Sequence, residues 1–181
     1  MTTELKATKV TTGKVRFSYL NAFKPRAAQP GQEAKYSVCL LIPKSDTATV
    51  DRIKKAIEAA KTAGIGTFGG KVPPGLKSPL RDGDAERDTA EYKGHWFINA
   101  NSKNPPGVVD RDLNPIVDAN DLQSGDYGRA SINFYAYSQN GNRGIAAGLN
   151  NLQLLAKGDP LSGRSRPEDD FSAVEDDDFL A

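Results

Sequence analysis

The sequence predicts a mainly β protein, a small and partly open β-barrel with one inserted α-helix, long loops and a disordered acidic C-terminal tail. Three observations support this prediction. Several short segments alternate apolar and polar side chains with a period of two, which is typical of half-buried strands. One segment has the three- and four-residue apolar spacing of an amphipathic helix. Turns rich in glycine and proline separate the strands, and this pattern favours a small barrel.

The first strand is predicted over Lys14–Leu20. Its apolar face carries Val15, Phe17 and Tyr19. The segment Asn21–Gln32 contains two prolines and a glycine and is predicted to form a loop. A second strand is predicted over Lys35–Ile42, which is apolar on both faces near its end and stops at Pro43.

The segment Thr47–Ala63 is predicted to form the one clear helix. Its apolar stripe consists of Val50, Ile53, Ala56, Ile57 and Ala60. Ser45, Asp46 or Thr47 can cap the first amides. Gly64 is predicted to end the helix in a left-handed conformation.

A loop rich in glycine and proline is predicted over residues 64–94, and loops of this length inside a compact domain are often functional. The segment His95–Ala100 is predicted to form the next strand. Val108 and Val109 follow as a short strand after a proline-rich turn. Within the first of these strands Trp96 and Phe97 point to opposite faces, so one of them should belong to the core.

The strongest local signal is a hairpin with arms Arg129–Ser138 and Gly144–Leu155. Asn140 and Gly141 lie between the arms, and Asn-Gly is a preferred dipeptide for a tight reversal. The predicted core face of the first arm consists of Ala130, Ile132, Phe134 and Ala136. The opposite face carries Arg129, Ser131, Asn133, Tyr135 and Tyr137.

The charge of the chain is strongly divided, although the net charge of the 181 residues is only +1. The last fourteen residues contain seven carboxylates, so residues 1–167 carry about +8 and the end carries about −7. An acidic segment of this kind repels itself and cannot bury enough apolar surface to fold alone. We therefore expect one folded domain over residues 1–163 and a disordered tail over residues 164–181.

The composition offers little for catalysis. His95 is the only histidine and lies in a predicted strand, and Cys39 is the only cysteine and lies in an apolar run typical of a core. No nucleophile therefore has an obvious base beside it, and we expect no enzymatic activity, no cofactor and no metal site. A metal-dependent nuclease that uses Asp82, Asp84 and Glu86, or the acidic residues between Asp110 and Asp126, stays open as an alternative.

The N-terminal residues contain no apolar signal segment, and no apolar run is long enough to cross a bilayer. A single cysteine excludes an intrachain disulfide. These features predict a soluble, cytoplasmic protein that does not interact with membranes.

Basic and aromatic side chains are interleaved on the polar faces of the predicted strands. The residues concerned are Lys14, Arg16, Arg129, Tyr135 and Tyr137. Single-stranded nucleic acid is bound by a positive groove that follows the phosphates and by aromatic rings that stack on the bases. If the barrel aligns these faces, they form such a groove.

Seven segments and the acidic end carry a resemblance to a known family, in the same order along nearly the whole chain. The segments are Tyr36–Lys44, Ile53–Ala60, Pro79–Asp84, Phe97–Ala100, Ser124–Tyr127, Phe134–Tyr137 and Gly144–Leu149. Together they resemble the bacteriophage single-stranded DNA-binding proteins, which have an OB-type fold. The resemblance implies an OB-like barrel that binds single-stranded DNA with little sequence preference during phage replication or recombination, in the cytoplasm of the host cell.

On this basis we expect four residues to neutralise phosphates: Lys14, Arg16, Lys35 and Arg129. Lys77 and Arg81 would close over the strand from the long loop. Three aromatic residues would stack on bases or line the groove: Trp96, Tyr135 and Tyr137. Homo-oligomerisation stays open, as does a role as an interaction or assembly module that does not bind DNA.

The tail is expected to recruit replication or recombination proteins and to compete with DNA for the basic domain. The resemblance places this role on Asp176, Asp177, Asp178 and Phe179. In related proteins an aromatic residue ends the chain, whereas here Leu180 and Ala181 follow Phe179.

Overall fold

The computed structural model describes residues 7–27, 29–139, 141–161 and 171–174. Its strands are β1 (Lys9–Thr11), β2 (Val15–Arg26), β3 (Lys35–Pro43), β4 (Arg81–Asp82), β5 (His95–Ser102), β6 (Gly107–Val109), β7 (Tyr127–Gln139) and β8 (Asn142–Ala156). Its helices are α1 (Thr47–Ala63), the single turn α2 (Gly83–Glu86) and a 3₁₀ turn at Ala90–Tyr92. The predicted class, mainly β with one main helix, is confirmed.

Five strands close into a ring in the order β2, β3, β5, β8 and β7, and β7 pairs again with β2. All neighbours are antiparallel except β5 and β8, which are parallel. The ring is uneven, because β7 and β8 pair along thirteen residue pairs whereas β2–β7 and β5–β8 each pair at two. β1, β4 and β6 add to β7, β5 and β8 respectively. The ring is thus the predicted partly open, OB-like barrel.

The ring encloses one apolar core. Alternate residues of the long strands point inward, and Phe17, Leu40, Ile98 and Phe134 are almost completely buried. The predicted core face of β7 is confirmed, although Ala136 is only partly buried against the core. The hairpin between β7 and β8 is also confirmed, since Gln139 pairs with Asn142.

α1 covers the core with its apolar stripe, all of which is buried as predicted. Burial of a large aliphatic side chain contributes roughly 1.5–3 kcal/mol, so this contact rather than helix propensity holds α1 in place. In the described ranges no helix is long and apolar enough to cross a membrane.

Of the predictions for the two ends of α1, the one for its start is confirmed and the one for its end is wrong. Asp46 caps the first turn, because its carboxylate accepts a hydrogen bond from the Thr49 amide at 3.2 Å. The left-handed conformation predicted for Gly64 is wrong, since its φ is −94°. A glycine is needed there for space, because a Cβ atom would collide with the Cβ of Ala136 on β7.

The loop predicted over Asn21–Gln32 is wrong for its first part, because β2 continues to Arg26. The pairing of this part with β3 is irregular, with register shifts between Ser18 and Asn21 and between Asn21 and Arg26. Pro25 cannot donate to a ladder, but here the ladder is already interrupted. The prediction from glycine and proline content alone therefore placed the end of this strand too early.

Residues 81–92, inside the predicted long loop, fold over the side of β3 and β5 that faces away from the core. We call this side of β2, β3 and β5 the outer face. A second apolar cluster forms there from Cys39, Leu41, Tyr92 and Phe97. Cys39 is buried as predicted, but in this cluster rather than inside the ring.

Candidate nucleic-acid interface

Beyond the second apolar cluster the outer face is polar. Asn21 of β2, Ser37 of β3 and Asn101 of β5 lie side by side in the pairing register, and Asn99 lies two residues before Asn101. Strand alternation turns these side chains outward, because their neighbours along each strand point into the core. The outer face thus has a floor of uncharged hydrogen-bonding groups that can meet any base or sugar.

One pocket of about 470 Å³ lies where β2 and β3 diverge, and we call it the Arg26 pocket. It is lined by Asn21, Arg26, Gln32, Glu33, Lys35, Ser37 and Asn101. The predicted site residue Lys35 pairs in register with Arg26, so two basic residues are neighbours across the β2–β3 pair. Glu33 offsets part of this charge and also forms a 3.5 Å ion pair with Lys103.

A second pocket of about 770 Å³ lies beside β5 and the hairpin, and we call it the Tyr137 pocket. It is lined by Lys77, Ser78, Pro79, Leu80, Arg81, Glu86, Asn99, Tyr137, Ile145, Ala146 and Ala147. Three predicted site residues therefore meet here, namely Lys77, Arg81 and Tyr137.

Main-chain hydrogen bonds fix Lys77 against β8. The Lys77 amide donates to the Arg143 carbonyl at 3.2 Å, and the Ile145 amide donates to the Lys77 carbonyl at 3.0 Å. The Lys77 ammonium donates to the side-chain oxygen of Asn142 at 2.9 Å. Because that partner is uncharged, the positive charge of Lys77 remains available to a phosphate.

Arg81 is held more tightly. Its guanidinium donates to the Glu86 carboxylate through two nitrogens, at 2.9 and 2.6 Å, and lies over the Phe97 ring at 5.3 Å. The hydrogen bonds from Arg81 hold the pKa of Glu86 below its usual range. A phosphate that binds Arg81 must therefore share it with a charged carboxylate.

Two glycines on β8 lie against the tyrosines of β7, and at Gly144 the contact leaves no space for a Cβ. The Tyr135 ring lies 3.6 Å from the position that a Cβ of Gly148 would occupy, and the Tyr137 hydroxyl lies 2.9 Å from that of Gly144. Tyr135 is 43% exposed, and Gly148 neighbours Asn101 across the β5–β8 pair. Tyr135 therefore lies on the continuation of the outer face onto the hairpin.

Asn99 and Asn101 connect the two pockets, since Asn99 lines the Tyr137 pocket and Asn101 lines the Arg26 pocket. The pockets thus form one path across the outer face, which we call the groove. Its ends carry cations, its floor carries amides and hydroxyls, and Tyr137 borders it.

Three predicted phosphate contacts lie elsewhere. Lys14 and Arg16 flank the Tyr127 ring at 5.0 and 5.3 Å, and Arg16 also donates to the carbonyls of Gly125 and Asp159 at 3.0 and 2.7 Å. Arg129 donates to the Thr12 carbonyl at 2.9 Å. These hydrogen bonds give both arginines a role in holding loops, and none of the three cations is among the described residues that line the groove.

Trp96 points to the side of β5 opposite to the groove. It packs against the main core, and the ammonium groups of Lys44 and Lys54 lie over its ring at 5.1 and 5.6 Å. Phe97 faces outward but is buried beneath Tyr92. The structure thus does not bring Trp96 to the groove, and its role in DNA binding stays a prediction.

The acidic residues considered for metal binding have protein partners. Lys44 pairs with Asp82 and Asp84 at 2.6 and 2.7 Å, and Asp110 accepts hydrogen bonds from the main chain of its own loop. Within the part of the chain that the structure describes, no group of three or more His, Cys, Asp or Glu residues is arranged to hold a metal ion.

The polar groove residues that sequence reasoning missed include Asn21, Arg26, Ser37, Asn99 and Asn101. The last two carried a usable signal, because they alternate with Ile98 and Ala100 and so share one face of a strand. Ser37 carried the same signal, because it precedes the buried Val38 in the predicted strand Lys35–Ile42. Asn21 and Arg26 could not be found, because their positions follow from the unforeseen extension of β2. The tail residues Asp176, Asp177, Asp178 and Phe179 lie outside the described residues.

Comparisons with known proteins agree with this geometry. A family model described as the single-stranded DNA-binding protein of Enterobacter phage Enc34 matches residues 8–180. The putative protein p50 of Acyrthosiphon pisum secondary endosymbiont phage 1 is 31% identical, over 96% of this chain and 99% of that protein.

Solved structures are similar as well. The Enc34 protein in complex with single-stranded DNA is 26% identical and has a TM-score of 0.77, over 87% of this chain and 91% of that one. The single-stranded DNA-binding protein gp2.5 of bacteriophage T7 is 18% identical, with a TM-score of 0.61 over 87% of this chain and 97% of that one, and this likeness shows the fold alone.

Proposed function

Because the chain belongs to the family of the single-stranded DNA-binding protein of Enterobacter phage Enc34, we propose that it binds single-stranded DNA in the groove, without strong sequence preference and without catalysing a reaction. The observation that carries this proposal is the composition of the groove. Cations at both ends suit phosphates, and the amide and hydroxyl floor between them discriminates poorly among bases.

The distribution of charge supports phosphate binding. In the described residues, the ion pairs of basic side chains involve Lys44, Lys61, Arg81, Lys103 and Lys157. Arg26, Lys35 and Lys77 are not in that set, so their charges can be offered to a polyanion. Aromatic stacking adds to such contacts by about 1–3 kcal/mol per base, and we expect Tyr135 and Tyr137 to provide it.

The structure of a relative in complex with DNA also supports single-stranded DNA as the ligand. The solved structure of the Enc34 protein is a complex with single-stranded DNA, and its fold matches this chain over most of both lengths. A shared barrel and a shared family make the same class of ligand the simplest expectation for this chain. We assign the protein on this basis to phage DNA replication or recombination.

The acidic tail is proposed to compete with DNA for the groove and to recruit replication or recombination proteins when DNA displaces it. Leu161, the last residue described before the tail, packs against the second apolar cluster on the outer face. The described chain therefore reaches the outer face at Leu161, and the seven carboxylates of the tail oppose the positive charge of the domain.

The central test is a titration of a fluorescent poly-dT oligonucleotide at several salt concentrations, with and without magnesium or manganese. Three or four phosphates neutralised in the groove should make log K fall by about 2–3 units per tenfold increase in salt. Binding to mixed-sequence oligonucleotides should be similar. The absence of salt-dependent binding would overturn the proposal and favour an interaction or assembly module.

The same reactions test the nuclease alternative. We expect the oligonucleotide to stay intact when metal is added. Metal-dependent cleavage that is lost in Asp82→Asn would instead establish an enzyme.

Deletion of residues 168–181 tests the tail. The truncated protein should bind DNA more tightly than the full chain at low salt, and the difference should shrink as salt screens the tail. Equal or weaker binding by the truncated protein would count against competition.

A further inference from the structure

Tyr19 has an unusual position for a tyrosine in a strand. The period-two pattern predicts that it faces the core with Val15 and Phe17, yet its side chain is 69% exposed. An apolar ring left in water gains nothing for folding. The side chain of Tyr19 therefore departs from the period-two pattern, and the pairing of β2 with β3 explains this departure.

A β-bulge turns Tyr19 away from the core. Ser18 pairs with Cys39 and Asn21 pairs with Ser37, so three steps along β2 match two steps along β3. One extra residue is inserted, and Phe17 and Leu20 both pack against the core on either side of it. Bulges occur frequently next to functional sites, where they redirect a side chain.

The bulge holds Tyr19 in a strained backbone conformation with φ of +46°. Bulky residues rarely adopt this left-handed region. The side-chain Nδ2 of Asn21 donates to the Tyr19 carbonyl at 3.2 Å and to the Ser37 hydroxyl at 3.3 Å, and the main-chain amide of Leu20 donates to the Ser124 hydroxyl at 2.9 Å. Neighbouring groups therefore fix a conformation that the residue itself disfavours.

Tyr19 lies on the outer face, next to the groove. Asn21, which holds its carbonyl, lines the Arg26 pocket. Phe17 and Leu20 point into the core on either side of Tyr19, so the exposed Tyr19 ring lies on the same side of the sheet as the outward-facing Asn21. The polar floor of the groove separates Tyr19 on β2 from Tyr135 on β7.

We propose that Tyr19 is a stacking platform for a nucleobase, displayed by the β-bulge at the β2 edge of the groove. This inference rests on the proposed function, because it adds a base contact to the same DNA site. Tyr19 and the hairpin tyrosines then engage different bases of one strand, with phosphates held between them by the groove cations. The strain at Tyr19 keeps the ring exposed and ready to stack.

The test compares Tyr19→Ala, Tyr19→Phe and Tyr19→Gly by fluorescence anisotropy with a dT oligonucleotide. A lost stack should weaken binding by about 5- to 150-fold in the alanine and glycine variants, whereas phenylalanine should retain most of the affinity. The glycine variant should melt no lower than the wild type, because glycine adopts positive φ without strain. Weak binding together with undiminished stability excludes a merely structural role.

The matched control is Leu113→Ala. Leu113 is also 69% exposed and also has a positive φ, of 68°, but it lies outside the groove. Its substitution should leave affinity unchanged. A loss equal to that of Tyr19→Ala would overturn the proposal.

An oligonucleotide with abasic sites identifies the contacted group. The wild type should bind it more weakly than dT, and Tyr19→Ala should bind it as well as the wild type does. If the wild type binds dT and Tyr19→Ala binds it equally well, the stacking role alone is refuted. If the wild type does not bind dT, the proposed function itself is refuted.

Discussion

Glu86 is expected to act as a built-in competitor for the groove, so Glu86→Gln should strengthen DNA binding. Its carboxylate lines the Tyr137 pocket and occupies the Arg81 guanidinium through hydrogen bonds of 2.9 and 2.6 Å. Because these bonds lower its pKa, Glu86 stays charged at neutral pH, and substitution is a cleaner perturbation than acidification. Glutamine keeps the shape and removes the charge.

The expected gain follows from Coulomb's law. A phosphate that shares Arg81 would lie about 6 Å from the Glu86 carboxylate, and at an effective dielectric constant of about 40–80 the repulsion is about 0.7–1.4 kcal/mol. Its removal should tighten binding about 3- to 10-fold at low salt. The ion pair is partly exposed, with Arg81 at 42% and Glu86 at 35%, so its loss should cost at most about 1 kcal/mol of stability.

The assay is the poly-dT titration at two or more salt concentrations, with urea unfolding to verify that the variant is folded. Glu58→Gln is the matched control, because Glu58 also pairs with a base, Lys61 at 2.8 Å, but on α1 outside the groove. The control should change affinity by less than about 2-fold, since exposed charges beyond a Debye length are screened. Unchanged or weaker binding by folded Glu86→Gln would refute the reasoning.

Three further predictions concern stability and reactivity. Asp126→Ala should lower the free energy of unfolding in urea by about 2–4 kcal/mol, because the buried carboxylate accepts a 2.6 Å hydrogen bond from Lys157 and two from main-chain amides; a loss below about 1 kcal/mol would contradict this. Gly64→Ala should cost about 1–3 kcal/mol because of its tight contact with β7, whereas Gly66→Ala, which meets nothing within 4 Å, should cost far less; equal losses would show that space is not the reason. Burial raises the pKa of Cys39 to about 11, so at pH 8 only about 0.1% is thiolate and iodoacetamide should label it by mass spectrometry only after unfolding; rapid labelling of the native protein would show that the second apolar cluster opens.

The local elements were predictable because their signals are short-range. The helix stripe and its Asp46 cap depend on neighbours three or four residues away, and the β7–β8 hairpin depends on alternation and one Asn-Gly turn. The buried face of β7 followed directly from its period of two. In these segments local preference and tertiary packing agree.

The predictions failed where long-range pairing decided the outcome. β2 continued through a stretch with Pro25 because β3 offered a partner, and its bulge sent Tyr19 outward against the alternation. Trp96 and Phe97 were recognised as lying on opposite faces, but both are packed. Only the fold of residues 81–92 over β5 accounts for the burial of Phe97.

The sequence by itself determined the fold class, the family resemblance, the single main helix and the division of charge between a basic domain and an acidic tail. The fold class, the helix and the charge division follow from composition and from periodicities of two and 3.6, and the family resemblance follows from seven segments in the same order; all are properties of the chain alone. The tertiary structure decided which cations face the groove: Lys35, Lys77 and Arg81 do, while Arg16 and Arg129 hold loop carbonyls. The physical reason is that strand register and ring closure bring together residues far apart in sequence, and a side chain's partners are set only when those contacts form.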